Sequence, residues 1–230
     1  MRRLIALLVL SLLSGACLMF QPDWLARTVS KRVTYSVDTA ESAVALTIDD
    51  GPDPQTTPAL LDVLRAHQSR ATFFLITERI SGNEALVDRI VAEGHELGNH
   101  MTREQPSILL GKDGFERELL AADSTLSPFG EIRWLRPGSG WFSSGMLETA
   151  ESRGYRLALA SIYPFDATIP STRFASEFIL WRARPGAIIL LHDYGDRGER
   201  TAETLERVLP ELARRGYRVV TLSELVELEG

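Results

Sequence analysis

The sequence predicts an α/β fold, a distorted (β/α) barrel with about seven parallel strands, and three observations point to it. From residue 43 onward, short apolar runs alternate with helical patterns, the signature of parallel β/α units. Polar residues interrupt these runs at their C-terminal ends, where such a barrel places its chemistry. Finally, Arg153-Gly154-Tyr155-Arg156-Leu157 recurs as Arg215-Gly216-Tyr217-Arg218-Val219. Each copy closes a helix and opens a strand, with glycine as the left-handed terminator.

Taken in order, Arg2 and Arg3 precede an apolar run from Leu4 to Phe20. As a helix it would reach roughly 25 Å, marginal against a hydrocarbon core of about 30 Å. Three readings stand: a retained anchor with the arginines inside, a signal peptide cleaved near Ser14-Gly15-Ala16, and lipidation at Cys17. All place the folded part on the far side of a membrane, in the cell envelope. Residues 1–20 are therefore read as signal peptide or anchor, 21–41 as a tether or packing arm, and 42–230 as one catalytic domain.

Strands are expected at 43–48, 71–75, 95–99, 133–136, 157–161, 187–192 and 217–222. The first helix takes Thr57 as N-cap with Pro58 at its first position and Leu60, Leu61 and Leu64 on one face. Asn83 caps a second helix, which buries Leu86, Val87, Ile90 and Val91 and stops at Gly94. Thr201 caps another, which carries Leu205, Val208, Leu209 and Leu212 and stops at Gly216. An open doubly wound sheet is the alternative architecture, but seven strand–helix units favour the barrel.

Composition narrows the function. With 230 residues, 44% hydrophobic and 24% charged, the chain suits one barrel-sized domain. A net charge of -6 argues against a nucleic-acid partner, which needs a basic surface. The only cysteine lies in the leader, so a metal would have to be held by His, Asp and Glu.

The rim residues carry the chemistry. Asp49-Asp50-Gly51-Pro52 ends the first strand, His100 follows the third, Arg136-Pro137-Gly138 the fourth, Asp166 the fifth, and His192-Asp193 the sixth; His95 is read as near the rim too. Adjacent aspartates repel unless a cation or a shared proton relieves them. A divalent metal is the economical answer: one carboxylate ligates and its neighbour takes a proton from metal-bound water. Alone, the Asp-Asp-Gly-Pro run would equally suit an acidic turn, and Arg136 a surface charge. The convergence of the other rim residues favours a site.

Four segments bear a family resemblance: Leu46-Thr47-Ile48-Asp49-Asp50-Gly51-Pro52, Gly94-His95-Glu96-Leu97-Gly98-Asn99-His100, Leu135-Arg136-Pro137 and Leu190-Leu191-His192-Asp193. In order, spacing and chemistry they resemble the motifs of the NodB-type polysaccharide deacetylases, carbohydrate esterase family 4, over about residues 43–227. The resemblance implies a metal-dependent hydrolase that removes acetyl groups from an N-acetylated or O-acetylated polysaccharide or oligosaccharide. It makes Asp49 the general base, Asp50 and His100 metal ligands, Arg136 the partner of Asp49, and His192 the general acid supported by Asp166. Backbone N–H groups around Ser139 would meet the oxyanion. Ser139, Gly140, Trp141 and Leu191 are the candidate substrate contacts, and the metal is expected to be zinc, with manganese, cobalt or nickel as alternatives.

Three positions depart from the family pattern. The second histidine of the metal site is replaced by Glu104, expected to ligate from the same face of a helical turn as His100. The usual tyrosine is Ser139, with Trp141 nearby as an aromatic wall. A usual tryptophan is Ala167, so the groove should differ from that of typical chitin or peptidoglycan deacetylases. Two further readings stay open: hydrolysis of another non-peptide C–N bond on the same fold, and a non-catalytic glycan-binding envelope protein.

Overall fold

The computed structural model describes residues 31–230, so the leader and the first part of the arm lie outside the described residues. Among these residues, eight parallel strands form one sheet: β1 (Val33–Thr34), β2 (Ala43–Asp49), β3 (Thr72–Leu75), β4 (Glu96–Asn99), β5 (Trp134–Leu135), β6 (Arg156–Ala158), β7 (Ile188–His192) and β8 (Arg218–Val220). Their order is β1-β6-β5-β4-β3-β2-β7, with β8 also on β2. Ala45 pairs with both Ile188 and Val220, so β7 and β8 lie on opposite edges of β2. The ring closes through single bridges, Ile162 to Ile189 in parallel and Ser36 to Ala187 in antiparallel sense, which is how the barrel comes to be distorted.

The strand missing from the sequence reading is β1. It pairs with β6, and Val33, Tyr35 and Val37 are buried, so the folded domain includes residues assigned to the tether and starts well before residue 42. The β1 strand is too short to show a period in the sequence. Among the described residues no helix is long and apolar enough to cross a membrane.

Among the described residues, seven α-helices surround the sheet: α1 (Thr57–Ala66), α2 (Glu84–Ala92), α3 (Gly111–Leu126), α4 (Ser144–Ser152), α5 (Thr172–Arg182), α6 (Asp196–Arg214) and α7 (Leu222–Val226). Two N-caps differ from expectation. Thr56, not Thr57, holds the N-cap position of α1, and neither hydroxyl caps the helix: both donate to the Asp193 carboxylate. Helix α6 starts at Asp196, five residues before Thr201, whose hydroxyl instead donates to the His192 carbonyl at 2.7 Å. The repeated helix ends are alike: Gly154 and Gly216 both have φ +82°, and the N–H groups of Tyr155 and Tyr217 reach back to Ala150 and Leu212.

Side-chain parity along the strands positions the site. In β2, Val44, Leu46 and Ile48 pack outward against the helices, while Ala43 and Ala45 belong to an interior cluster with Phe74, Trp134, Ala158 and Ile188. Residues two apart share a face, so the interior row of β2 ends in Thr47 and Asp49. Extended past β5, the row of Trp134 ends in Arg136, and that of Ile188 in Leu190 and His192. The apolar floor and the polar rim are thus successive residues of the same rows.

Candidate active site

The Asp49 carboxylate is buried at the end of β2, and the buried Arg136 guanidinium donates to its Oδ1 from Nη1 at 2.6 Å. Arg136 is fixed on every side: it also donates to Thr47 Oγ1 and to the carbonyls of Ala158 and Leu159, and lies 4.2 Å over the Phe74 ring. A buried charge needs such pairing, and the pair keeps one Asp49 oxygen free toward the cavity.

His100 faces both aspartates. Its Nδ1 is 2.7 Å from the Arg136 carbonyl, which only accepts, so Nδ1 carries a proton. Its Nε2 then points at Asp50 Oδ1 at 3.5 Å and Asp49 Oδ2 at 3.8 Å. A neutral ring would set a lone pair against two carboxylates, an arrangement that calls for a cation or a second proton between them. Burial pushes His100 down, but the charges of Asp49 and Asp50 overcome it and raise it. Burial likewise pushes Asp50 up, yet His100, His192 and Arg197 hold it well below the usual carboxylate range.

Across the cavity, Asp166 Oδ2 accepts from the His192 backbone N–H at 3.0 Å and lies 2.9 Å from His192 Nδ1, leaving Nε2 toward the site. Burial lowers the imidazole, but the bond and charge of Asp166 outweigh it and His192 is raised. Between these groups lies a cavity of about 550 Å³, lined by Asp49, Asp50, His100, Arg136, Ser139 and His192 among others. The turn at its edge is tightly built. A Cβ on Gly138 would sit 2.0 Å from the Gln105 carbonyl oxygen, and Ser139 is held at φ +63°. The Gly138 N–H donates to Ser107 Oγ and the Gly140 N–H to the Pro137 carbonyl, so neither bond takes the Ser139 N–H.

A profile of the polysaccharide deacetylase family matches residues 36–158. The chain belongs to the polysaccharide deacetylase family. It is 36% identical over 197 residues to a peptidoglycan-N-acetylglucosamine deacetylase of Bacillus cereus, covering 84% of this chain and 92% of the relative. To a chitooligosaccharide deacetylase of Sinorhizobium fredii it is 33% identical over 199 residues, covering 81% and 93%. The crystal structure of a peptidoglycan N-acetylglucosamine deacetylase in complex with a naphthalenyl N-oxidanyl-benzamide superposes with a TM-score of 0.81 at 28% identity, covering 85% of this chain and 93% of that one. A mutant of a CE4 family pseudoenzyme with restored enzymatic activity gives 0.78 at 26% identity, covering 84% and 71%.

Within this family member, Glu104 is not where the sequence places it. Met101 has φ +71° and residues 102–105 form bends, so no helical turn aligns positions 100 and 104. The half-exposed Glu104 carboxylate is instead gripped by Arg79 at 2.6 Å and Arg197 at 3.1 Å. Among the described residues no three His, Cys, Asp or Glu side chains converge as a metal cluster. Asp50 and His100 suit a divalent ion by donor type and by the lone-pair argument; the third donor is held apart.

Two substrate assignments also change. Leu191 is fully buried among the outward-facing residues and Leu190 lines the cavity, the one-residue offset that strand parity dictates. Trp141 is 68% exposed and does not line the cavity, unlike Ser139 and Gly140. His95 lies before β4, at the end of the barrel opposite the rim, where its Nδ1 accepts from the Ala71 N–H. Sequence reasoning missed Tyr163, whose ring lies 6.1 Å from that of His192, and both arginines. The acidic cluster itself signalled a need for such countercharge.

Proposed function

We propose that this chain hydrolyses acetyl groups from an N-acetylated sugar polymer, using a divalent metal, outside the cytoplasmic membrane. The observation that carries the reading is the opposition, across one cavity, of an Arg136-held Asp49 and an Asp166-held His192, with Asp50 and His100 between them. Asp50 and His100 would hold the metal, zinc being suited to one nitrogen and carboxylate oxygens, with Glu104 as third ligand once freed. Bound there, a metal supplies polarisation of the acetamide carbonyl and acidification of water.

The remaining work falls to side chains. Asp49, held in place by Arg136, takes a proton from the attacking water. The Ser139 N–H donates to the carbonyl oxygen as negative charge develops on it. His192, protonated and aimed by Asp166, gives its proton to the departing amine, which could not leave as an anion. A binding protein has no use for this opposed base and acid. The names of the relatives support peptidoglycan or chitooligosaccharide as the substrate class, and the apolar leader behind Arg2 and Arg3 supports export.

Acetate release from N-acetylglucosamine oligomers, peptidoglycan and acetylated xylan, with and without added zinc, manganese, cobalt or nickel, tests the reading. We expect metal-stimulated release from at least one of the first two. No release from any substrate with any metal would place the chain with the inactive members of its family.

A further inference from the structure

The metal position has a competitor within the chain. Arg197 is the second residue of the 19-residue helix α6, where a cation meets the positive end of the helix dipole. What holds it there is a pair of carboxylates: Nη1 lies 3.0 Å from Asp50 Oδ2 and Nη2 lies 3.1 Å from Glu104 Oε1. Arg79 closes the other side. Its Nη2 donates to Glu104 Oε2 at 2.6 Å, its Nη1 to the Asp50 carbonyl at 2.5 Å, and its guanidinium stacks 3.6 Å from the centre of the Tyr194 ring.

Of the two carboxylates that Arg197 bridges, Asp50 is a donor of the proposed metal site and Glu104 its proposed third ligand. A guanidinium 3.0 Å from Asp50 Oδ2 repels a dication arriving at that carboxylate and blocks one of its oxygens. Glu104 strengthens the grip, because a neutral imidazole at that position would offer Arg197 no charge. We infer that Arg197 is a latch on the proposed metal site, bridging Asp50 to Glu104 until a divalent ion displaces it. The inference rests on the reading that Asp50 and His100 take a metal. Its consequence is a weakened apparent affinity, since only the unlatched fraction is competent to bind. The metal-free protein gains in return, with Asp50 neutralised by a guanidinium in place of an ion.

Calorimetric titration with zinc, together with metal-free melting curves, tests the latch in the full-length wild type, Arg197→Gln, Arg197→Lys and Glu104→His. We expect Arg197→Gln to bind one zinc at least about tenfold more tightly than wild type, as follows if nine molecules in ten are latched, and to melt lower without metal. Arg197→Lys should fall between. Arg197→Lys keeps the charge on α6 but not the two-pronged bridge, so its tightening keeps the test decisive if Arg197→Gln folds poorly, while Glu104→His, which offers the ion a nitrogen of its own, is the control for ligand replacement. One zinc bound with equal or weaker affinity in both Arg197→Gln and Arg197→Lys overturns the latch and leaves the metal reading intact. Failure of all four proteins to bind zinc overturns both.

Discussion

The two sides of the cavity were built by different parts of the chain. Asp49, Arg136 and His192 continue interior strand rows, and their partners are buried and multiply bonded. The Glu104 side sits on a bend beyond β4, half exposed, and meets residues from the loop after β3 and the start of α6. Rows impose direction on a side chain; bends do not. Chemistry carried on rows is therefore preorganised, while the Glu104 side is left to a contest between charges.

The sharpest way to break this comparison is to remove the two aspartates separately. Asp49→Asn should lower turnover on the order of 10²–10⁴-fold, the range for loss of a positioned base, and keep whatever metal the wild type binds. Asp50→Ala should lose both turnover and metal. Near wild-type turnover in Asp49→Asn at saturating metal would show that another group is the base.

Next in size is the cost of opening the buried pair. Arg136→Met leaves the Asp49 carboxylate uncompensated in the barrel, which should destabilise the fold by about 3–5 kcal/mol. Chemical denaturation measures it. A loss under about 1 kcal/mol, the level of an exposed ion pair, would mean that water reaches Asp49 freely. The same substitution at the other side, Arg79→Met, should cost less, because Glu104 stays half exposed.

The contrast also explains what could be read beforehand. Asp49, Arg136 and His192 were legible because each ends a strand's run, and the run itself sets the face; His100, preceded by Glu96-Leu97-Gly98-Asn99, was legible only from its motif. Leu191 failed by one residue for the same reason: a motif match names adjacent leucines without parity, and parity selects Leu190. Strand β1, two residues long, has no period to detect. Glu104 was placed by helical spacing in a segment that Met101, at φ +71°, prevents from being helical. Arg79 and Arg197 lie far apart in sequence and meet only through tertiary structure.

A smaller effect should appear in the pH profile. Asp166 raises His192 above its ordinary value despite burial, so the acid form of the imidazole persists to higher pH. Removing that carboxylate in Asp166→Asn lowers the His192 pKa, and the alkaline limb of kcat/KM should move to lower pH while the backbone fold is kept. A profile unchanged in position, merely scaled down, would reduce Asp166 to holding the β7 backbone through the His192 N–H.

The smallest effect concerns Trp141, which stands outside the rows altogether. At 68% exposure it contributes little to the core, so Trp141→Ala should leave stability within about 0.5 kcal/mol of wild type. If the indole nevertheless supports a sugar ring beyond the cavity, loss of that stacking should raise KM for long oligomers a few-fold, on the order of 1 kcal/mol. Short substrates confined to the cavity should not notice, and kcat should stay put because Trp141 touches none of the reacting groups. Equal KM values for wild type and Trp141→Ala on oligomers of every length would remove Trp141 from the substrate path. The turn carrying it would then serve the site only through the Ser139 N–H.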